Sequence, residues 1–424
     1  MSEARWSQIL TGFQRPFWIA NTTELFERLA YYGPQAVLAV YLTERLRFSP
    51  SEAGQLIGLY GFVVWFLPVI GGSLADRFGF RRTLAAAYLV LTLGYFLLGS
   101  LAAPFMAPLR HALPLYWLVL LVMMVPALGP AVVKPVVAGT TARASTEAVR
   151  SLGYSIYYTV VNIGGTLGPL MAFQVRTTLG IEAVFRVSAA FTFAMFLFTV
   201  AFYRDPGRGD DTHVASIGES ARNLFTVLSN VRFMVFLLIF SGFYVSFWQE
   251  FVALPLYMRA YVNPNANVDL LLTVEPATVI GLTLAMTYAT RKVPTFTAMT
   301  AGILISGLGW LFLAAGGSTL MAIAALFVVA LGEITLAPRL YEYCSRLAPP
   351  GQQGLFMGFS FLPVAIGYFI AGPLGGWLVK HYGEDLHTPN RMWLVVTGVG
   401  ILTTVLMFLY DRVVRPERLV ASAP

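Results

Sequence analysis

Residues 21–35 read N-T-T-E-L-F-E-R-L-A-Y-Y-G-P-Q and place Glu24, Glu27 and Arg28 inside an apolar run from Pro16 to Leu42. The three charges fall at i, i+3 and i+4, which is one face of a helix, and Tyr31 and Tyr32 continue that face. A charge at the centre of a membrane helix costs roughly 2.5–3.5 kcal/mol even on the lenient insertion scale. This face is therefore expected to look into a polar cavity formed by other helices, not into lipid. A carboxylate held there can take up and release a proton, and the planar fork of an arginine matches a second carboxylate bidentately. The plainer expectation for Arg28 is an i,i+4 pair with Glu24 alone.

Lys134 stands in G-P-A-V-V-K-P, residues 129–135, between two prolines that loosen the helix around it. A buried ammonium needs a carboxylate partner, and Glu24 or Glu27 is the expected one. Neutralising that glutamate with a proton would release the lysine and let the two helices part. A lysine snorkelling to the membrane surface is the alternative. At about 1.5 Å per residue, Arg28, Asn162 and Glu333 come to roughly 18–20 Å from the inner membrane surface, and Glu24 and Lys134 to roughly 8–12 Å. The polar residues thus sort into a mid-membrane layer and an acid–base pair beneath it.

The elements that must position these residues are transmembrane helices. Of 424 residues, 57% are hydrophobic and 12% charged, with mean hydropathy +0.70, a charge fraction about half that of a soluble domain. Hydropathy and loop punctuation predict twelve spans, near 16–42, 52–75, 83–104, 114–139, 151–175, 183–203, 233–258, 268–290, 296–316, 318–345, 354–379 and 391–411. Lys and Arg favour one set of connections by about two to one, which predicts both termini on the cytoplasmic side. The net charge of +7 is read as this topology signal. The polar stretch 204–232 splits the spans six and six, giving an N-terminal bundle over 1–203, a cytoplasmic linker, and a C-terminal bundle over 233–424.

The halves repeat. V-I-G-G-S-L-A-D-R-F-G-F-R-R-T-L-A-A-A (69–87) has a faded counterpart in V-I-G-L-T-L-A-M-T-Y-A-T-R-K-V-P-T-F-T (279–297). Parallel repeats of six helices resemble the major facilitator superfamily, an all-α membrane fold of two six-helix bundles. Gly72, Asp76, Arg77, Gly79, Arg81 and Arg82 match that superfamily's signature loop. The glycines permit a tight turn, and Asp76, Arg77 and Arg81 can latch the ends of the helices they join.

Within the superfamily, E-L-F-E-R-L-A-Y-Y-G resembles the first-helix motif of the proton-coupled oligopeptide transporter family. Residues 59–79 are similar to its second helix, with Tyr60 in place and Trp65 where a tyrosine is usual. Residues 129–135 are similar to its fourth helix, G-Y-S-I-Y-Y-T-V-V-N-I-G-G (153–165) to its fifth, and G-E-I-T-L-A-P (332–338) with R-L-A-P-P (346–350) to its tenth. The resemblance implies a symporter that imports di- or tripeptides by alternating access. It assigns proton coupling to Glu24, Glu27 and Lys134, with substrate binding on Arg28, Tyr31, Tyr32, Tyr60, Asn162 and Glu333. Arg28 would take the peptide carboxylate and Glu333 the amine.

The seventh and eighth helices depart from the family. F-W-Q-E-F (247–251) puts Trp248 at the family's acid position, and E-P (275–276) stands where asparagine precedes proline. Trp248 and Glu275 are kept as substrate-binding candidates, and Glu250 is left between a site role, an outer gate and none. Arg339 is expected to pair with Glu342 or Glu333. These departures favour, as the alternative, proton-coupled transport of nitrate, a carboxylated metabolite or an amphipathic drug.

One cysteine, Cys344, offers neither a disulfide nor a metal spacing. His111, His213, His381 and His387 all fall in predicted loops. The sequence shows no nucleophile elbow or phosphate loop, so an enzyme is not expected, nor a metal, a cofactor beyond the coupling proton, or a nucleic-acid partner. The expected partners are small peptides, protons and the lipid bilayer, for a monomer in the cytoplasmic (inner) membrane.

Overall fold

The computed structural model describes residues 12–206, 225–347, 356 and 358–414, and for 70–76, 151 and 345 the backbone alone. Among these residues the chain is helical, with one isolated bridge between Phe13 and Ser145. The long helices are α1 (Arg15–Val40), α2 (Pro50–Phe78), α3 (Phe80–Leu98), α4 (Leu115–Arg143), α5 (Arg150–Leu179) and α6 (Ile181–Phe202). After the stretch 207–224, outside the described residues, come α7 (Val231–Val262), α8 (Val268–Thr290), α9 (Thr295–Ala315), α10 (Thr319–Leu347), α11 (Phe359–Asp385) and α12 (Met392–Val414). Most of the expected linker 204–232 therefore lies outside the described set.

Ten of these helices are long and apolar enough to cross a membrane; α1 and α5 are not among them. Both are long enough, at 26 and 30 residues, but polar side chains lower their hydropathy. These two helices approach each other through glycine. A Cβ at Gly168 would lie 3.0 Å from the Gly33 nitrogen and 3.2 Å from the Leu29 carbonyl, and Gly164 meets the Cβ of Arg28. Small residues at such positions let helix backbones come close. The two least apolar of the long spans are thus in close backbone contact.

Contacts divide the chain into two compact units. One holds described residues up to Gln35 and from Leu67 to 206; the other holds Ala36–Phe66 and described residues from 225 onward. The later parts of α1 and the earlier parts of α2 are thus grouped with the second half of the chain, although they precede the linker. Each helix changes unit beside a proline, Pro34 in α1 and Pro68 in α2. Proline removes a rung of the helical ladder at each of these positions.

In the first unit, Leu84, Ala87, Tyr88, Leu91 and Tyr95 form the buried stripe of α3 and share a core with Val132, Val133, Val136 and Val137 of α4. The other side of α3 exposes Leu89, Leu93 and Phe96. Apolar residues on both faces mark a helix with protein on one side and lipid on the other. Gly79, at φ 87°, makes the turn between α2 and α3, a conformation open to glycine at little cost. Beyond it Arg81 donates from its backbone N–H to Asp205 (2.6 Å) and from its guanidinium to the Val200 carbonyl at the end of α6. Exposed Arg77 lies over the Phe78 ring, 5.6 Å from its centroid. The side chains of Gly72 and Asp76, the other latch candidates, lie outside the described set.

In the second unit, Gly54 and Gly58 of α2 meet Gly372 and Gly376 of α11, a spacing of four on each helix. A Cβ at Gly58 would lie 3.3 Å from the Gly372 Cα, and one at Gly54 would lie 3.1 Å from the Gly376 Cα. Glu44, just after α1, receives a two-pronged contact from Arg259 of α7 at 2.7 and 2.6 Å. Gln249 of α7 donates to the Ala371 carbonyl at 3.1 Å. His381, expected in a loop, stands in the helical end of α11 and stacks on Trp377.

Because the glycine contacts leave no room for a side chain, Gly58→Leu is expected to cost about 1–3 kcal/mol and lower the melting temperature of the purified protein. Leu59→Ala, at the neighbouring half-buried position, should lower it less. Equal losses would show that this contact is looser than described.

Candidate functional site

The first unit gathers Glu24, Glu27, Arg28 and Lys134, all at least nine-tenths buried. Helix α1 supplies three of them because the 3.6-residue period stacks positions 24, 27 and 28 on one side. Lys134 comes from α4, which stops at Ala127 and restarts at Pro130, so the expected loosening is a break at 128–129. The Arg28 guanidinium is held by its own helix. Its Nε lies 2.5 Å from Glu27 and 3.3 Å from Glu24, and a terminal nitrogen also contacts Glu27. Pairing with Glu24 alone is thus too small a description, since the neighbouring Glu27 is the nearer partner. Lys134 is within electrostatic reach of both acids and of Arg28. Two acids and two bases therefore balance in one buried group.

The group is not saturated with hydrogen bonds. Both Glu24 oxygens and one Glu27 oxygen are buried without a hydrogen-bond partner, so charge rather than directed bonding holds Glu24. That leaves acceptor capacity for a proton, water or a donor from substrate.

Tyr31 packs its ring 5.2 Å from the guanidinium of Arg28 and meets Tyr32 edge to face at 5.1 Å. Two residues absent from the sequence expectations join them. Tyr88 of α3 is fully buried and within electrostatic reach of Glu24, Glu27 and Arg28, and Tyr157 of α5 reaches Arg28. Tyr157 belongs to the motif at 153–165, whose aromatic residues were the available signal. Tyr88 sits in an ordinary apolar stretch and offered none. Asn162 is half-buried, and its amide donates to the Tyr158 carbonyl of its own helix at 2.8 Å.

The second unit gathers acids. Glu250 ends the tight turn Trp248–Glu250 in α7, Glu275 lies in the first turn of the regular part of α8, and Glu333 is midway along α10. Glu275 is hydrogen-bonded to Glu333, and Glu250 is within electrostatic reach of both. Both oxygens of Glu250 and one of Glu333 are buried without a hydrogen-bond partner. Like charges so close are stabilised by a proton or an added cation. The structure therefore puts Glu250 within electrostatic reach of the other two acids.

Trp248 packs among aromatic rings, 4.2 Å from Tyr368, 5.6 Å from Phe251 and 5.9 Å from Trp65. Tyr60 is buried in the part of α2 grouped with this unit. Arg339 does not pair with Glu342 or Glu333. It donates to the carbonyls of Thr290 (2.7 Å) and Val293 (2.8 Å), because the end of α8 presents unsatisfied carbonyls within its reach. Glu342 instead holds Arg346 one turn on.

A family model described as Major Facilitator Superfamily matches residues 23–362 and 251–423. Among curated relatives, the chain is similar to Multidrug resistance protein MdtH of Photorhabdus laumondii, 24% identical over 88% of this chain and 89% of the relative. It is likewise similar to that of Aeromonas hydrophila, 25% identical over 92% and 94%. Among solved structures, a mutant of the peptide transporter POT in complex with alafosfalin has TM-score 0.78 at 19% identity, covering 95% of each chain. A POT family transporter in complex with 5-aminolevulinic acid has TM-score 0.76 at 17% identity, covering 94% of this chain and 96% of that one. The structural likeness is one of fold.

If Lys134 balances the acids of α1, Lys134→Ala should cost about 3–5 kcal/mol, the usual penalty for orphaning a buried charge. Adding Glu24→Gln should then restore part of the lost melting temperature. Strictly additive losses in the double variant would show that the two residues do not interact.

Proposed function

The chain belongs to the Major Facilitator Superfamily and is a multi-pass membrane transporter, not an enzyme, and we propose that it imports di- and tripeptides with protons by alternating access. The observation that carries this reading is the buried set of Glu24, Glu27, Arg28 and Lys134. With both glutamates charged, Arg28 is held within its own helix. A proton on either acid removes one of its two counter-charges, which frees the guanidinium fork for the carboxylate of a peptide. The same proton weakens the hold on Lys134 and loosens α1 from α4. Release of peptide and proton restores the original pairing.

Glu250, Glu275 and Glu333 supply negative charge for the peptide amine, and Tyr31, Tyr32, Tyr60 and Asn162 supply hydrogen bonds and a tolerant aromatic wall. The latch residues Gly72, Asp76, Arg77 and Arg81 serve the conformational change. The proton is the coupling species, with no further cofactor. The excess of lysine and arginine in one set of connections supports a protein of the cytoplasmic membrane with both termini inside. The likeness of fold to a peptide transporter POT and to a POT family transporter agrees with this reading.

A second reading keeps the proton chemistry and changes the cargo to a cationic amphipathic drug. Two observations favour it: relatives that carry a multidrug-resistance name, and three clustered acids where one would suffice for an amine.

Proteoliposomes decide between them. Uptake of a labelled dipeptide driven by a pH gradient is expected in the native protein and is lost in Glu24→Gln and Glu27→Gln, while counterflow exchange survives. Arg28→Ala should abolish dipeptide binding at every pH. Competition separates the cargoes: a peptide site loses affinity when either peptide end is blocked, whereas a drug site is indifferent to both blocks and responds to a lipophilic cation.

A further inference from the structure

The faded repeat at 279–297 differs from its counterpart in how its cations are used. In the first copy Arg81 is bound to Val200 and Asp205. Arg291 and Lys292 hold the equivalent places of Arg81 and Arg82 in the second copy, and Met286 stands where Asp76 does. Neither cation has an ion pair among the described residues. Arg291 lies over the Tyr288 ring at 3.9 Å, and Lys292 is exposed.

The two residues line a cavity of 720 Å³ together with Arg339 and Arg346, and Glu342 is the one acid in its wall. Arg346 is paired with Glu342, and Thr295 donates to the same acid at 3.4 Å. Arg339 caps the end of α8 through neutral carbonyls, so its charge is uncompensated. The first turn of α9, from Thr295, also borders the cavity, and a helix start favours negative charge. Among the described residues, the cavity therefore offers three cations without an ion pair, and a helix N-terminus, to an anion.

Its position selects the kind of anion. Residues 291–294 join two membrane spans, so the cavity lies at the level of the lipid headgroups. Leu284 and Tyr288, two turns and one turn before Arg291, are 85% and 65% exposed, an apolar face suited to acyl chains. We propose that this cavity binds the phosphate headgroup of an anionic phospholipid, its chains lying along Leu284 and Tyr288. Basic pockets between membrane helices bind such headgroups by the same combination of charge and depth.

The test uses full-length protein in detergent, read by thermal shift and by native mass spectrometry. Short-chain phosphatidylglycerol is expected to raise the melting temperature and to persist as a single adduct, and the matched phosphatidylcholine is not. The R291Q/K292Q variant should weaken phosphatidylglycerol binding about thirtyfold, taking roughly one surface-charge contribution per residue. Both side chains are exposed, and the single variants R291Q and K292Q give intermediate losses should the double variant fail to purify. An equal shift with inorganic phosphate would make this a free-anion site and overturn the lipid assignment. So would equal binding of phosphatidylcholine, unchanged binding in the variants, or no binding at all. None of these readouts depends on transport or on its cargo.

Discussion

A charge inside a bilayer has to be matched within reach of its own side chain, because neither water nor lipid will do it. That constraint accounts for the arrangement of the first unit. Arg28 finds Glu27 and Glu24 on its own helix, and Lys134 reaches the same acids from α4. A self-balanced group of this kind is stable only while each partner keeps its charge. In the proposed mechanism, a proton on Glu24 or Glu27 changes the pairing of Arg28 and Lys134. The property that makes the group tolerable in a membrane is therefore the one that makes it responsive.

The scaffold answers the same constraint at a coarser scale. Helices α1 and α5, too polar to be ordinary spans, meet through Gly164 and Gly168. Helices α2 and α11 meet through Gly54, Gly58, Gly372 and Gly376. Without a hydrophobic force between helices in lipid, close backbone approach is a main source of attraction. Pro34 and Pro68 then divide α1 and α2 where their packing partners change. Of these two, α1 is the one that also carries Glu24, Glu27 and Arg28.

The repeated halves have diverged in their use of charge. The first unit balances acids with bases, while the second gathers Glu250, Glu275 and Glu333 without a described basic partner among them. An acid cluster of that sort waits on a proton or a cation from outside the protein. The basic turn has changed as well. Arg81 is bound at the end of α6, whereas its counterpart Arg291 lies over the Tyr288 ring.

Periodicity and cost made much of this legible in the amino-acid order alone. Charges at positions 24, 27 and 28 must share a helical face whatever surrounds them, and an apolar run cannot hide them from lipid without other helices. The twelve-helix plan, the special status of Lys134 and the interest of Glu333 all follow from that reasoning. Distance between helices is different, since it depends on which side chains are small at a crossing that only the folded chain creates. Hence Tyr88, unremarkable among alanines and leucines, joins the charged group, and Glu250, ambiguous in F-W-Q-E-F, comes to rest beside Glu275 and Glu333. Arg339 turned out to cap a helix because the open carbonyls at 290 and 293 lie close in space, though more than forty residues away in the chain. Local spacing determines which residues need partners; tertiary packing decides which partners they get.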